Sequence, residues 1–157
     1  MVNTPDANAP DGVALNDAAP GDVARRSATV MLDGDRASRA LGIALEHVGP
    51  GTAEVSMVVR EDMTNGWDLC HGGLIATLAD TAFAVACNSH GEVTVAAGFD
   101  VTFLESGRAG DRLVARAEER SRRGRSGVYD VTVSRDDGTV MAEFRGRSRS
   151  LGRPIPL

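Results

Sequence analysis

The stretch that most constrains this chain is residues 65–88, N-G-W-D-L-C-H-G-G-L-I-A-T-L-A-D-T-A-F-A-V-A-C-N. It opens on polar and glycine residues, passes through His71-Gly72-Gly73, and becomes an apolar run broken only by Thr77, Asp80 and Thr81. Such a run is long enough for a helix and apolar nearly all round, so other elements must cover it on most sides. At roughly 100° per residue, Gly73, Thr77, Asp80 and Ala84 fall on one stripe, and Leu74, Ile75, Leu78, Phe83 and Val85 point elsewhere. The stripe is small and polar, which lets another backbone or a thin ligand come close. A buried, unpaired carboxylate is costly and tends to protonate, so Asp80 must meet water, a donor or a substrate.

The flanking sequence supplies the cover. Residues 43–48 and 52–60 are strand-like and are separated by the turn signal Gly49-Pro50-Gly51. In the second, Ala53, Val55, Met57 and Val59 alternate with polar residues, giving one buried and one wet face. Strand-like runs return at 93–104, 112–121, 127–135 and 139–150, with Asp136-Asp137-Gly138 as a hairpin signal between the last two. Helix and strand do not alternate, so a parallel sheet is disfavoured. The class is α+β, with an antiparallel sheet wrapped around one helix. Residues 27–41 allow a short amphipathic helix containing Gly34. Residues 1–26, rich in Ala, Asp, Pro, Asn and Gly, read as a disordered tail. The domain then spans 27–152, with 153–157 as a short C-terminal tail; 157 residues suit a single domain.

Charge and composition exclude several functions. A net charge of -5 and a pI near 5.1 argue against a general nucleic-acid surface, while leaving room for a local basic patch. No apolar run reaches the roughly 18 residues of a membrane span, and no signal segment opens the chain, so a cytoplasmic location is expected. Cys70 and Cys87 are too few for a disulfide framework, and along one helix they stand about 25 Å apart. Both read as reduced, partly buried thiols. Cys70-His71 lacks a third orienting group and the facing geometry of an activated thiol. His47, His71 and His90 have no zinc-ligand spacing, so no metal is expected.

Gly72-Gly73 would stand at the helix N-terminus, where unpaired N–H groups and the positive dipole end can hold a developing oxyanion. Gly72 and Asp80 are eight residues apart, about 12 Å along one helix, too far for both to act on one carbonyl. Either one of them is irrelevant to catalysis, or the site is shared between two antiparallel helices of a two-fold dimer. A structural reading stands beside this: His71-Gly72-Gly73 as a tight turn and Asp80 tied to a neighbouring donor. The residues alone leave both open.

The run C-H-G-G-x-x-x-x-L-A-D-T-A-F-A-x-A-C-N-S over residues 70–89 closely resembles the hotdog-fold acyl-CoA thioesterases of the PaaI type, associated with phenylacetate degradation. The similarity continues at Phe103-Leu104, Ala109-Gly110-Asp111, Gly127-Val128-Tyr129-Asp130 and Phe144-Arg145-Gly146-Arg147-Ser148, covering about residues 37–152. It departs where relatives often carry Arg-Pro or Ser-Pro, because Glu105-Ser106 follows Phe103-Leu104 here, and where Ala96-Ala97 stands near a serine of relatives.

The resemblance implies one long helix wrapped by a curved antiparallel β-sheet, with active sites built between the subunits of a homodimer. It also implies a dimer of dimers. It matches Asp80 to the catalytic carboxylate, Gly72 to the N–H that polarises the thioester carbonyl, and Asn65 to an amide that places the acyl group or water. His71 matches a histidine expected to brace the loop. Gly73, Thr77, Phe103 and Leu104 become candidates for substrate contact. The implied reaction is hydrolysis of an aryl acyl-CoA, with Asp80 as general base or nucleophile, coenzyme A as part of the substrate and no separate cofactor. Arg120, Arg122, Arg123, Arg125 and the neighbouring Ser126 are either a solvated hairpin or donors for the CoA phosphates, a role that suits arginine; Arg147 and Arg149 are weaker candidates. The alternatives are a non-catalytic acyl-CoA-binding protein and an enoyl-CoA dehydratase using His71 and Asp80.

Overall fold

The computed structural model describes residues 18–157. Three α-helices, α1 (Pro20–Gly34), α2 (Arg36–Leu41) and α3 (Gly72–Asn88), accompany six strands. The strands are β1 (Ala44–Gly49), β2 (Thr52–Val58), β3 (Glu92–Phe103), β4 (Arg112–Arg123), β5 (Ser126–Arg135) and β6 (Val140–Pro154). They form one sheet in the order β1-β2-β4-β5-β6-β3, and every neighbouring pair is antiparallel. This is the α+β hotdog arrangement that the resemblance implies.

The α3 connection explains the shape. β2 lies near one edge of the sheet and β3 forms the other, so the chain between them must cross the whole sheet. The crossing is made by the 17-residue α3, which packs against β2, β3, β4, β5 and β6. Its length, about 25 Å, suits that span. Irregularities at Leu45/His47 in β1, Ala96/Gly98 in β3 and Glu119/Ser121 in β4 add local bend, which helps the sheet curl around the helix.

Period-two alternation fills the concave face. Leu113, Ala115 and Ala117 of β4, Tyr129, Val131 and Val133 of β5, and Ala142 and Phe144 of β6 are buried against Ile75, Leu78, Ala79, Ala82, Phe83 and Ala86. Phe83 is the aromatic centre, with ring centroids 5.4 Å from Tyr129 and 5.8 Å from Phe144. Gly146 makes room for it: a Cβ there would lie 2.8 Å from the Phe83 ring carbons. On the outer face, cross-strand ion pairs replace apolar contacts, including Arg145 with Asp130 (2.6 and 2.8 Å), Arg116 with Glu54 (2.8 Å) and Arg147 with Asp100 (2.6 Å).

The N-terminal expectation needs correction. The single helix expected over 27–41 is two helices, and the first begins at Pro20, inside the segment read as a disordered tail. Proline suits a first helical position, and Ala24, Ser27 and Ala28 form a small buried stripe that a composition reading overlooks. The break follows Gly34: Asp35 caps α2, accepting the Ser38 N–H (2.9 Å) and hydroxyl (2.6 Å), and Gly42 ends it in the left-handed conformation. The rest of the tail, residues 1–17, lies outside the described residues. At the other end, β6 runs through Pro154 and Ile155 is buried, its N–H donating to Gly91 O (2.9 Å), so residues 153–155 belong to the domain.

The Phe83–Gly146 contact yields a stability prediction. Gly146→Ala forces a methyl into the packed ring and is expected to cost about 1–3 kcal/mol, read as a lower denaturation midpoint with an unchanged slope.

Candidate active site

The loop before α3 is held by its own hydrogen bonds. Asn65 N–H donates to Leu69 O (2.8 Å), while the Asn65 Oδ1 accepts from the N–H groups of Trp67 (2.9 Å) and Leu69 (3.3 Å). The Asn65 side-chain carbonyl oxygen is thereby spent on the loop, which leaves its NH2 for any outside partner. Asp68 adopts φ 58, a left-handed conformation that aspartate tolerates better than most residues. Cys70 N–H reaches Gly107 O (2.7 Å) and His71 N–H reaches Met63 O (2.9 Å), pinning the helix entry to the loops on either side. Trp67, at the loop tip, is 83% exposed.

His71 is the N-cap of α3. Its Nδ1 accepts the Gly73 N–H (3.3 Å), and its carbonyl accepts Leu74 N–H (2.8 Å) and Ile75 N–H (3.4 Å). That ring contact ties the His71 side chain to the first turn of α3. The first turn therefore has acceptors for the N–H groups of residues 73, 74 and 75. Gly72 N–H has none among the described residues. It is an orphan donor at the positive end of a 17-residue helix, a site suited to negative charge.

The small stripe lies where the sequence puts it. Gly73, Thr77, Asp80 and Ala84 keep partial exposure, whereas Ile75, Leu78, Phe83 and Val85 are buried. The Thr77 hydroxyl is bonded to Gly73 O (2.8 Å), and Thr81 next to Asp80 donates to Thr77 O (2.9 Å) and lies 3.2 Å from the Ser38 hydroxyl. Asp80 itself makes no hydrogen bond or ion pair among the described residues, and burial alone pushes its carboxyl above the ordinary value. Burial and the Asp80 charge, in that order, push the Cys87 thiol up to about 12.

Phe103 ends β3 and Leu104 follows it, and they are 48% and 56% exposed. The Phe103 ring reaches the start of α3, and a Cβ on Gly72 would lie 3.1 Å from its Cζ. The arginine run is elsewhere. Arg122, Arg125 and Ser126 line a cavity of about 10 Å³ with Cys87, His90 and Glu92, at the C-terminal end of α3 and so opposite Gly72. Arg122 Nε stands 3.7 Å from Glu119, Arg125 Nε donates to Ser150 O (2.9 Å), and the Ser126 hydroxyl accepts from Arg149 (3.2 Å). Arg123 makes neither an ion pair nor a side-chain hydrogen bond among the described residues, and it lines an open groove with Arg147, Arg149 and Ser126. Arg120 is engaged by Glu118 (3.3 Å) and Asp130 (3.4 Å).

One polar cluster has no counterpart in the sequence reading. The Tyr129 hydroxyl donates to Glu119 (2.7 Å), which also meets the His90 ring at 2.7 Å. Burial pushes the Glu119 carboxyl up, but the hydrogen bonds from Tyr129 and His90, together with the electrostatic effect of His90 and Arg122, more than offset it and hold the group below its ordinary value. The three residues come from β4, β5 and the turn after α3, and no motif or spacing joins them. Cys70 and Cys87 are free and buried. Among the described residues no group of three or more His, Cys, Asp or Glu is placed to hold a metal, and no helix is long and apolar enough to cross a membrane.

Comparison with known proteins agrees with this fold. A family model described as the thioesterase superfamily matches residues 68–142, the segment from the α3 entry loop to β6. The chain is 42% identical over 130 residues to acyl-coenzyme A thioesterase PaaI of Escherichia coli K12, covering 83% of this chain and 93% of the relative. Among solved structures, the Escherichia coli PaaI protein from the phenylacetic acid degradation operon superposes with a TM-score of 0.86 at 40% identity, over 87% of this chain and 99% of that one. The TT0310 protein of Thermus thermophilus superposes with a TM-score of 0.72 at 37% identity, over 74% of this chain and 98% of that one. With the fold, the capped glycine end and the family match in agreement, the chain belongs to the thioesterase superfamily as a PaaI-type hotdog-fold acyl-CoA thioesterase.

Proposed function

We propose that this thioesterase hydrolyses aryl acyl-CoA thioesters of the phenylacetyl-CoA type, and that each site is shared by two subunits. Asp80 of one subunit acts as general base on water, or as nucleophile, while Gly72 N–H of the other holds the oxyanion. The observation that carries this reading is the pair of unsatisfied groups on α3. A carboxylate and a helix-terminal N–H, both without a partner among the described residues, lie eight residues apart, about 12 Å along the axis. One thioester cannot reach both on one helix, whereas two antiparallel helices bring each glycine end beside the other's carboxylate.

The edge of the sheet supports such a pairing. Among the described residues β3 is the last strand of the sheet and pairs only with β6, so its outer edge is open to a further strand apart from Thr94, whose N–H and C=O are taken by the Asn88 side chain. Val95, Phe99, Phe103 and Leu104 along and just beyond β3 are exposed, a run of apolar side chains that calls for cover. The aryl preference rests on likeness to the Escherichia coli protein of the phenylacetic acid operon. In this reading Asn65 offers its free NH2 to the acyl group or water, and Gly73, Thr77, Phe103 and Leu104 line the acyl path. Arg122, Arg123, Arg125 and Ser126 reach the CoA phosphates of a substrate bound at the other end of α3, Arg123 being the least engaged of them. Coenzyme A enters only as part of the substrate, and the dimers pair into tetramers.

A panel of aryl and fatty acyl-CoAs, with release of free thiol and loss of enoyl-CoA both followed, tests the reading. Phenylacetyl-CoA and its hydroxylated relatives are expected to give the highest kcat/KM; hydration without thiol release would instead indicate a dehydratase. Asp80→Asn is expected to lower kcat by about 10²–10⁴-fold while CoA binding survives.

Because Asp80 works ionised and burial raises its pKa, activity is expected to fall as pH drops, at a higher pH than an ordinary aspartate would give. The same shift acts on stability with the opposite sense. A carboxyl raised in the folded state costs nothing below its unfolded pKa and costs most once it is ionised above the folded one. Asp80→Asn is therefore expected to match or exceed the parent midpoint at pH 8, with the difference closing toward pH 4; paired denaturation curves at the two pH values measure it.

A further inference from the structure

We infer that the phosphates of the acyl-CoA are held by Arg123, Ser126 and Arg149, and that these three belong to the subunit whose Asp80 acts on the thioester. The inference rests on the shared-site reading proposed above and assigns the coenzyme end of that site. The three residues form one row across the sheet. Ser126 opens β5 and is paired on one side with Arg123, the last residue of β4, and on the other with Arg149 of β6. Residues directly opposite one another on neighbouring strands share a face, so two guanidinium groups flank one hydroxyl at strand spacings of about 4.8 Å. All three residues are exposed. The Ser126 oxygen accepts from Arg149 (3.2 Å), which leaves its own O–H to donate.

Ionic matching on the outer face stops at this row. One row toward the middle of the sheet, Arg147 is paired with Asp100 (2.6 Å); in the next, Arg145 and Arg120 both meet Asp130 (2.6 and 3.4 Å). Neither Arg123 nor Arg149 has an ion pair among the described residues, and the groove of about 450 Å³ that they line with Arg147 contains no Asp or Glu. Two neighbouring arginines left without a carboxylate, on a chain of net charge -5, suit an anion brought from outside, and the guanidinium fork matches phosphate oxygens. Arg122 and Arg125 line the cavity beside Cys87 of α3 instead, where Glu119 (3.7 Å) and Ser150 O (2.9 Å) engage them.

The choice of subunit follows from α3, whose C-terminal end lies beside the hairpin that carries the row. Asp80 is eight residues from Asn88, about 12 Å along the axis, whereas Gly72 is sixteen residues away, about 24 Å. Two antiparallel helices that bring Gly72 of one beside Asp80 of the other send their C-terminal ends in opposite directions. The hairpin of the Asp80 subunit then stands about 12 Å along from the thioester, and that of the Gly72 subunit about 24 Å away on the other side. The pantetheine arm runs down the helix that supplies the acid.

Arg123→Ala/Arg149→Ala removes two exposed side chains, so the denaturation midpoint should hold. In the homodimer, KM for phenylacetyl-CoA is expected to rise about 10-fold or more with kcat nearly unchanged. KM for the phenylacetyl thioester of pantetheine, which lacks the phosphates, should not move. An unaltered KM for the CoA ester, or an equal rise for both esters, would overturn the row.

Mixed dimers of an Asp80→Asn chain and a Gly72→Pro/Phe103→Leu chain test the subunit, because they keep one complete site. Proline suits the first helical position, the extended His71 (φ -62, ψ 124) accommodates it, and it deletes the N–H. Phe103→Leu clears the ring, whose Cζ would lie 3.1 Å from a Cβ on residue 72. The complete site takes its Asp80 from the proline chain. Placing the two arginine substitutions on that chain should raise KM as in the homodimer, and placing them on the Asp80→Asn chain should leave KM unaltered. The reverse pattern, or equal rises from both placements, would overturn the assignment. Mixed dimers inactive whatever their arginines would remove the shared-site reading, and the choice of subunit with it, while the homodimer KM values decide the row on their own.

Discussion

The packing of α3 inside the sheet is the constraint on which the rest of the structure depends. A helix that crosses from β2 to the far edge of a curved sheet must be apolar wherever the sheet touches it. Ile75, Leu78, Ala79, Ala82, Phe83 and Ala86 meet that demand, and Phe83 fits only because Gly146 leaves a gap in β6. Chemistry is thereby confined to the one stripe that the sheet does not cover and to the helix ends. Asp80 occupies the stripe and Gly72 the N-terminal end. The cost of burying part of a carboxylate without a donor is the kind of local compromise that a functional site tolerates.

The two ends of α3 are built for different work. At the N-terminal end, His71 ties the first turn together while leaving one N–H unspent, and the strand end at Phe103 closes over the glycine. At the C-terminal end, partly buried polar groups are satisfied by one another: His90, Glu119 and Tyr129 share a hydrogen-bonded cluster beside the arginine hairpin. Cross-strand ion pairs on the outer sheet face engage Arg145, Arg116 and Arg147, and these partly exposed pairs contribute little individually to stability. Their effect is to leave few arginines available for an anionic ligand, Arg123 foremost.

Much of this was legible in the sequence, and the reasons are physical. The α3 stripe could be read because helical periodicity survives in an apolar run, where one acid among alanines is conspicuous. The strands could be read because a sheet with one wet face alternates, and all six runs form strands with ends shifted by a few residues. The start of α1 was hidden, since its buried stripe is made of Ala24, Ser27 and Ala28, too small to stand out in a segment rich in Ala, Asp and Gly. The continuation of β6 was hidden because Gly152 and Pro154 read as breakers. Contacts between distant segments, such as Phe103 on Gly72 or Glu119 with His90 and Tyr129, leave no periodic trace and emerge only once the sheet is closed.

The central claim is that one site draws on two subunits, and complementation between two inactive variants tests it most directly. Asp80→Asn and Gly72→Pro/Phe103→Leu chains, carrying different affinity tags, are co-expressed and the mixed dimer is isolated. A shared site leaves each mixed dimer one position where an intact Asp80 faces an intact Gly72. Its activity should then recover to about half that of the parent dimer, although both homodimers are inactive. Mixed dimers as inactive as either homodimer would contradict the account and place Asp80 and Gly72 outside a common site.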